Sequence, residues 1–221
     1  MTDFIYLGDI AMTNYSRPKV ELTKQVLERL NIGKRYWTST LDSLDKASAH
    51  YQVATKYIDQ FATHYEPKGI GLYLWGDNST GKTWTATAII KSVAQMGYTA
   101  YTILGDELKA IYINNAMFDP DNSITRWVEN VEVLLIEDIG KEYNASGSGW
   151  AELCFENLLR KRSRNLKVTI ITTNLDPKAF KERYKNSVTA ILLESQISIQ
   201  VKGVDNRANI NKQIVSDLKN S

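Results

Sequence analysis

The sequence predicts a three-layer α/β fold, in which helices cover both faces of a central parallel sheet. Strand-like apolar segments alternate with segments of helical periodicity, at about residues 70–75, 98–104, 131–136, 168–172 and 196–202. The third of these is almost wholly apolar, as expected of a strand buried on both faces, and the fourth is predicted to be another buried strand. With 221 residues, of which 43% are hydrophobic, the chain is long enough to bury such a core.

Composition excludes several classes of protein. The single cysteine, Cys154, permits no internal disulfide and no cysteine-rich zinc site, and its helical apolar surroundings predict a buried thiol. No apolar run approaches about 18 residues and no basic segment opens the chain, so we expect a cytoplasmic protein with no membrane contact. A net charge of only +2 argues against a protein that coats DNA, although a local nucleic-acid patch remains possible.

Residues 1–33 are predicted to form a short helical N-terminal extension. A helix starts near Pro18, ends before Gly33, and carries an apolar face of Leu22, Val26, Leu27 and Leu30. It either folds back on the core or docks another protein. A second helix covers about residues 53–61, and His50 and His64 at its edges are expected to be ordinary surface or packing residues.

The remaining helices are predicted over about residues 83–96, 106–117, 123–129 and 150–164, with several short helices after residue 175. Trp127 is expected to pack in the core; the alternative is that it stacks on nucleic-acid bases together with Tyr112 and Phe118. The basic run Arg160, Lys161, Arg162 and Arg164 either binds DNA phosphates or simply complements the dipole at a helix end.

A phosphate-binding loop lies between the first strand and the following helix. Its pattern is Gly-x-x-x-x-Gly-Lys-Thr, in the residues Gly76, Asp77, Asn78, Ser79, Thr80, Gly81, Lys82 and Thr83, followed by Trp84. Backbone N–H groups would surround the β-phosphate of a nucleoside triphosphate, and Lys82 would reach its β- and γ-phosphates. The Thr83 hydroxyl would bind Mg²⁺.

Polar residues follow the third and fourth strands. Glu137 and Asp138 stand about 55 residues after the loop, where the first would hold Mg²⁺ through a water and the second would orient or deprotonate the attacking water. Asn174 either bonds the phosphate or attacking water, or simply begins a turn. The predicted catalytic set is therefore Lys82, Glu137, Asp138 and Asn174, with Thr83 and Glu137 at the metal.

These three segments resemble the Walker A, Walker B and sensor 1 motifs of AAA+ ATPases, which are P-loop NTPases. They are most similar to the branch of bacterial replicative-helicase loaders of the DnaC/DnaI type and IstB-like transposition helpers. Residues 35–42 and 202–207 are similar to the branch's opening and closing segments. The resemblance implies a core over residues 34–208, a tail over 209–221, and Arg207 as the sensor 2 arginine that touches the nucleotide. It also implies ATP, Mg²⁺, a homo-oligomer, single-stranded DNA, and a helicase or transposase partner.

The sequence departs from the branch at several positions. Ser79 replaces a glycine, Trp84 a histidine, and Glu137 an aspartate. Ser187 and Ile191 stand where an arginine finger is frequent, and Arg183 is the nearest basic residue. Loss of a finger slows turnover by roughly 10³-fold or more, so hydrolysis is expected to be weak.

The short extension favours a helicase loader encoded by a phage or mobile element, with residues 1–33 as its docking tail. Two alternatives remain: an IstB-like transposition helper, and a nucleotide-gated adaptor or inhibitor that scarcely hydrolyses ATP.

Overall fold

The computed structural model describes residues 17–118, 123–140 and 150–203, and its centre is a five-stranded parallel sheet. The strands are β1 Gly71–Trp75, β2 Ala100–Leu104, β3 Val133–Ile139, β4 Val168–Thr173 and β5 Gln196–Gln200. Their order across the sheet is β2-β3-β4-β1-β5, and every neighbouring pair is parallel. This confirms the predicted α/β class. The carboxyl ends of β1, β3 and β4 consequently lie side by side at one edge, where ligands of such sheets bind.

Helices cover both faces of the sheet. They are α1 Lys24–Arg29, α2 Ala49–Asp59, α3 Lys82–Gln95, α4 Gly105–Phe118, α5 Ser123–Asn130, α6 Trp150–Arg164 and α7 Pro177–Ser195. Side chains alternate across each strand, so Leu72 and Leu74 join the core under α1–α3 while Tyr73 joins the core under α4–α7. Both cores hold β3 in place, because Leu135 faces one and Leu134 the other.

The described part of the N-terminal extension packs against the sheet edge. The Thr102 N–H donates to the Leu30 carbonyl, which covers the exposed side of edge strand β2. Leu27 and Leu30 are buried, and Arg17 bonds Glu132 at 2.8 Å while lying over the Tyr98 ring. Residues 17–33 therefore contribute to the core that they flank.

Three sequence predictions about helices were wrong. The first helix begins at Lys24, capped by the Thr23 hydroxyl, instead of near Pro18. Several short helices after residue 175 are one 19-residue helix, α7, which the Asp176 side chain caps and Pro177 opens. Trp127 is 45% exposed, because α5 turns Val128 into the core instead. The predicted turn at 119–122 and most of the loop at 140–149 lie outside the described residues.

Candidate nucleotide-binding site

The loop of residues 76–83 joins β1, which lies between β4 and β5, to α3. Gly76 and Gly81 have φ angles of 150° and 97°, which a side chain would disfavour, and Ser79 has φ 64°. These turns bring the chain back on itself so that α3 begins at Lys82, directly after the loop. The N-terminus of α3 is therefore positioned as a site for an anion, as the sequence pattern predicts.

Lys82 lies inside the loop instead of extending into solvent. It is 5% exposed, and its Nζ donates to the carbonyls of Gly76 at 2.9 Å and Asp77 at 2.6 Å. Both carbonyls belong to the first two residues of the loop, so the ammonium group is held at the concave side of the turn. This places a positive charge within the region where phosphates would lie.

Glu137 connects the loop to β3. The Thr83 hydroxyl donates a hydrogen bond to its carboxyl group, which is 8% exposed. Burial, followed by the adjacent Asp138 charge, raises the pKa of Glu137 to about 7, although the Thr83 bond acts in the opposite direction. The two side chains predicted to hold Mg²⁺ thus lie near each other.

Asp138 occupies an irregularity of β3. The strand register shifts between Ile136 and Ile139, and Asp138 has φ 57° while its N–H donates to the Thr172 hydroxyl at 3.0 Å. Bulges near sites redirect side chains. The two consecutive carboxyl groups therefore differ in environment: Glu137 is buried against Thr83, and Asp138 lines the open cleft beside the loop.

Asn174 faces the loop from the end of β4. Its side-chain amide donates to the Asn78 side-chain oxygen at 2.8 Å, and its own oxygen is buried with no hydrogen-bond partner among the described residues. The turn that follows is held separately, since the Tyr73 hydroxyl donates to the Leu175 carbonyl. Asn174 thus spans the space between β4 and the loop.

These residues line one cleft of about 700 Å³, which we name the loop cleft. Besides the loop, Asp138 and Asn174, it is lined by Arg35, Tyr36, Ser43, Leu44, Asp45, Ser48, His50, Lys202 and Gly203. Arg207, the predicted sensor 2 arginine, lies outside the described residues. The structure therefore brings the other predicted site residues together in this cleft, except for Gly76 and Asp77, which line a neighbouring pocket at the start of the loop, and Glu137, which lies near Thr83.

The wall formed by residues 35–50 was not among the predicted site residues. It is fixed to α3 by the buried Lys91, whose Nζ donates to the carbonyls of Trp37 and Ser39, and by Trp84, which bonds the Ser43 hydroxyl at 2.7 Å. Only the similarity of residues 35–42 to known proteins pointed toward it. His50, predicted to be an ordinary surface or packing residue, is buried and bonds Ser48, and burial lowers its pKa.

Gly203 forms a close contact behind the loop. A Cβ atom at this position would lie 2.6 Å from the Thr80 carbonyl oxygen and 3.3 Å from its Cα, both of which are backbone atoms. The segment after β5 therefore supports the loop only because residue 203 has no side chain.

Gly203→Ala is consequently expected to displace the loop, with a loss of about 1–3 kcal/mol in the free energy of unfolding and weaker nucleotide binding. Chemical denaturation and calorimetry measure both quantities. Gly33→Ala is the matched control: its φ is −56° and the new Cβ would be 3.7 Å from Tyr36, so that variant should be neutral or slightly stabilised. Equal effects of the two substitutions would contradict the role given to Gly203.

The raised pKa of Glu137 leads to a pH-dependent prediction. Because the folded state binds this proton more tightly than the unfolded state, its stabilising contribution is complete below about pH 4.5 and is lost as pH rises through about 7. Between pH 5 and pH 8, this loss of stability amounts to about 2–3 kcal/mol. Glu137→Gln should remove this pH-dependent contribution. In denaturation without metal, the free energy of unfolding of the variant relative to that of the wild type should therefore be higher at pH 8 than at pH 5. Glu182→Gln, at an exposed position on α7, is the control; parallel pH profiles for wild type and Glu137→Gln would refute the prediction.

The structure divides the basic run at the end of α6, because Arg162 is buried whereas Arg160, Lys161 and Arg164 are exposed, and DNA binding by the exposed residues stays a prediction. Arg162 is 0% exposed, and it donates to the carbonyls of Val128, Val131 and Val168 and to the Thr169 hydroxyl. Arg160 and Lys161 are exposed but paired with Glu156 and Glu129. Arg162 is therefore a structural residue that joins α5, α6 and β4.

The other polar features of the chain are less informative. On α7, Ile191 packs against the core and Arg183 lies with its guanidinium 5.6 Å from the centre of the Tyr184 ring. Cys154 is buried as predicted, and burial raises its pKa to about 11. Across the described ranges there is no group of three His, Cys, Asp or Glu side chains suited to a metal ion, and none of the helices is long and apolar enough to cross a membrane.

Comparison with known proteins supports the class suggested by this geometry. No family model matches the chain. The replicative helicase loader DnaI of Bacillus subtilis (strain 168) is 24% identical over 152 residues, which are 67% of this chain and 48% of DnaI. The chain therefore spans about half the length of this curated relative.

Solved structures give the same result. The crystal structure of the DnaC helicase loader has a TM-score of 0.68 and 26% identity, covering 77% of this chain and all of that one. AMPPCP-bound DnaA from Aquifex aeolicus has a TM-score of 0.60 and 16% identity, covering 82% of this chain and 56% of that one. The fold and loop define an AAA+-type P-loop domain. Within that class the chain is DnaC/DnaI-like, as the three motifs predicted.

Proposed function

We propose that this chain is an ATP-dependent loader of a hexameric replicative helicase onto single-stranded DNA, which binds ATP with Mg²⁺ and hydrolyses it slowly. The observation that carries the proposal is the loop cleft, where the phosphate-binding loop meets Asp138 from β3 and Asn174 from the end of β4. This cleft joins the loop to the acidic strand end, the two elements that an ATP-hydrolysing P-loop site requires. The likeness to DnaI and DnaC supports a replicative helicase as the partner.

Each residue has a proposed role. Lys82 and the loop N–H groups, from Gly76 to Trp84, bind the phosphates, while Thr83 and Glu137 hold Mg²⁺. When bound, that ion neutralises charge that develops on the phosphate oxygens. Asp138, which lines the cleft, orients or deprotonates the attacking water, and Asn174 bonds the terminal phosphate or that water. Arg207 would contact the nucleotide from the segment beyond residue 203.

Slow hydrolysis follows from two features of the free protein. A carboxyl group with a pKa of about 7 is only partly ionised at neutral pH, so Glu137 must lose a proton before it serves a metal. Asn174 must also exchange its bond to Asn78 for one to the ligand. We propose a homo-oligomer whose copies carry Ser187 and Ile191 where an arginine finger is frequent, which also keeps hydrolysis slow.

Two other functions share most of these features. An IstB-like transposition helper would have the same loop and acids, with a transposase as partner. A nucleotide-gated adaptor with little turnover is favoured by the Asn78–Asn174 bond and by the protonated fraction of Glu137. Steady-state ATPase assays with single-stranded DNA and helicase distinguish the adaptor from the two ATP-hydrolysing proteins. The adaptor would bind ATP tightly and show no turnover in any condition.

The partner is tested by mixing the purified chain with a purified hexameric replicative helicase or with a transposase, and measuring complex formation with and without AMPPCP and Mg²⁺. We expect a complex with the helicase that depends on nucleotide and is lost in Lys82→Ala. Binding to the transposase alone would establish the alternative and contradict the loader.

The proposed chain has a docking tail over residues 1–33, an ATPase core over 34–208 and a C-terminal tail over 209–221. The test of the docking tail uses a deletion shorter than the full tail. Removing all 33 residues would also remove Leu27 and Leu30 from the core. Deletion of residues 1–16 leaves the described contacts intact and should abolish helicase binding while leaving the melting temperature unchanged. Undiminished binding by that variant would refute the docking role.

A further inference from the structure

Ser79 adopts a backbone conformation that its side chain disfavours. Its φ of 64° lies in the left-handed region, where glycine is the usual residue. Three other described residues that are not glycine share a positive φ: Asn31, Asp138 and Leu166. Asp138 lines the same cleft as Ser79, whereas Leu166 lies in an exposed turn after α6. Strained residues persist where the surrounding structure holds them, and they concentrate at functional sites.

The Ser79 hydroxyl is also without a hydrogen-bond partner. Its Oγ is buried and forms no bond to any described residue, although it belongs to a loop with many polar groups. The neighbouring Thr80 hydroxyl, in contrast, donates to the Asp77 carbonyl at 3.0 Å. A buried hydroxyl normally finds a partner, because leaving it unpaired is unfavourable. The Ser79 hydroxyl is therefore a buried donor without a described partner, on a residue that lines the loop cleft.

The charges around this donor indicate what it would bind. Lys82 is held against the loop carbonyls at Gly76 and Asp77, and the N-terminus of α3 begins one residue after Gly81. Both features favour a negatively charged oxygen in the space that the loop surrounds. A phosphate oxygen accepts a hydroxyl hydrogen bond strongly, since the acceptor is charged.

We propose that the Ser79 side chain is a phosphate-binding group, whose hydroxyl donates a hydrogen bond to the bound nucleoside triphosphate. This inference rests on the proposed function, because it requires a nucleotide in the loop cleft. It assigns to Ser79 a contact beyond its backbone N–H, and it explains why a residue with a strained φ and an unpaired hydroxyl occupies a position suited to glycine.

The test measures the dissociation constant of AMPPCP with Mg²⁺ by calorimetry. Two variants distinguish the effect of the hydroxyl group on this affinity from the effect of the backbone strain. Ser79→Ala removes the hydroxyl and keeps the Cβ, while Ser79→Gly removes both. We expect both variants to bind about tenfold more weakly or worse, even though Ser79→Gly should melt at a higher temperature than the wild type because its backbone is relaxed.

Two controls accompany these variants. Ser92→Ala removes a hydroxyl that bonds the Ala88 carbonyl further along α3, and Leu166→Gly relaxes a positive φ outside the cleft. Neither should alter nucleotide affinity. If Ser79→Gly or Ser79→Ala binds as tightly as the wild type, the proposed contact does not exist. If the wild type itself does not bind AMPPCP, the proposed function fails as well, so the two failures are distinguishable.

Discussion

Replacing Lys82 with alanine is expected to lower the affinity for ATP with Mg²⁺ by about 100-fold and to eliminate measurable turnover. The ammonium group is buried on the concave side of the loop, where it donates to the Gly76 and Asp77 carbonyls. The same position allows it to bind phosphate oxygens by a small movement. Its loss removes both the charge and the donors that the site offers there.

The fold should tolerate this substitution. The two carbonyls belong to Gly76 and Asp77, which line a second pocket of about 260 Å³, so water can hydrate them after Lys82 is removed, and the melting temperature should change by only a few degrees. Lys56→Ala, at an exposed position on α2, is the matched control and should retain affinity and turnover. Calorimetric titration and phosphate release measure the two effects. Binding retained by a folded Lys82→Ala protein would show that the nucleotide lies elsewhere.

Replacing Arg162 with alanine is expected to lower the free energy of unfolding by about 3–5 kcal/mol. The side chain is fully buried, and burial lowers its pKa to about 9, which still leaves it charged near neutral pH. Its guanidinium satisfies three backbone carbonyls, at Val128, Val131 and Val168. Alanine would leave these carbonyls unpaired beside a large cavity.

A neighbouring arginine provides the control for this effect. Arg160 is exposed on the same helix and forms one ion pair with Glu156, so Arg160→Ala should change stability by less than about 0.5 kcal/mol. Arg162→Lys should also be destabilised, because a single ammonium group cannot replace the planar fork of donors. Urea denaturation measures all three variants. Equal stability of Arg162→Ala and Arg160→Ala would contradict the structural role.

The sequence was sufficient to predict the sheet and the loop, because both are encoded locally. Strands β1, β2 and β3 are short, largely apolar segments, and Gly76 to Thr83 lie between a strand and a helix in one continuous stretch. The contact between Thr83 and Glu137 could also be anticipated, since parallel strands place their carboxyl ends at one edge of the sheet.

Features that depend on distant packing were not predictable. Arg162 lies in a basic run that resembles an exposed helix end, and its burial depends on carbonyls from α5 and β4. Trp127 and Val128 are adjacent apolar residues, and only the position of α5 decides which one is buried. The wall of residues 35–50 has no nucleotide motif of its own; Lys91 and Trp84 bring it to the loop.

The central claim is that the loop cleft holds ATP with Mg²⁺, and a crystal structure of the protein with AMPPCP and Mg²⁺ tests it most directly. The account predicts phosphates along residues 76–83, the metal beside Thr83 and Glu137, and the rest of the nucleotide against the wall of residues 35–50. A nucleotide bound elsewhere, or an empty loop cleft at saturating AMPPCP, would contradict it.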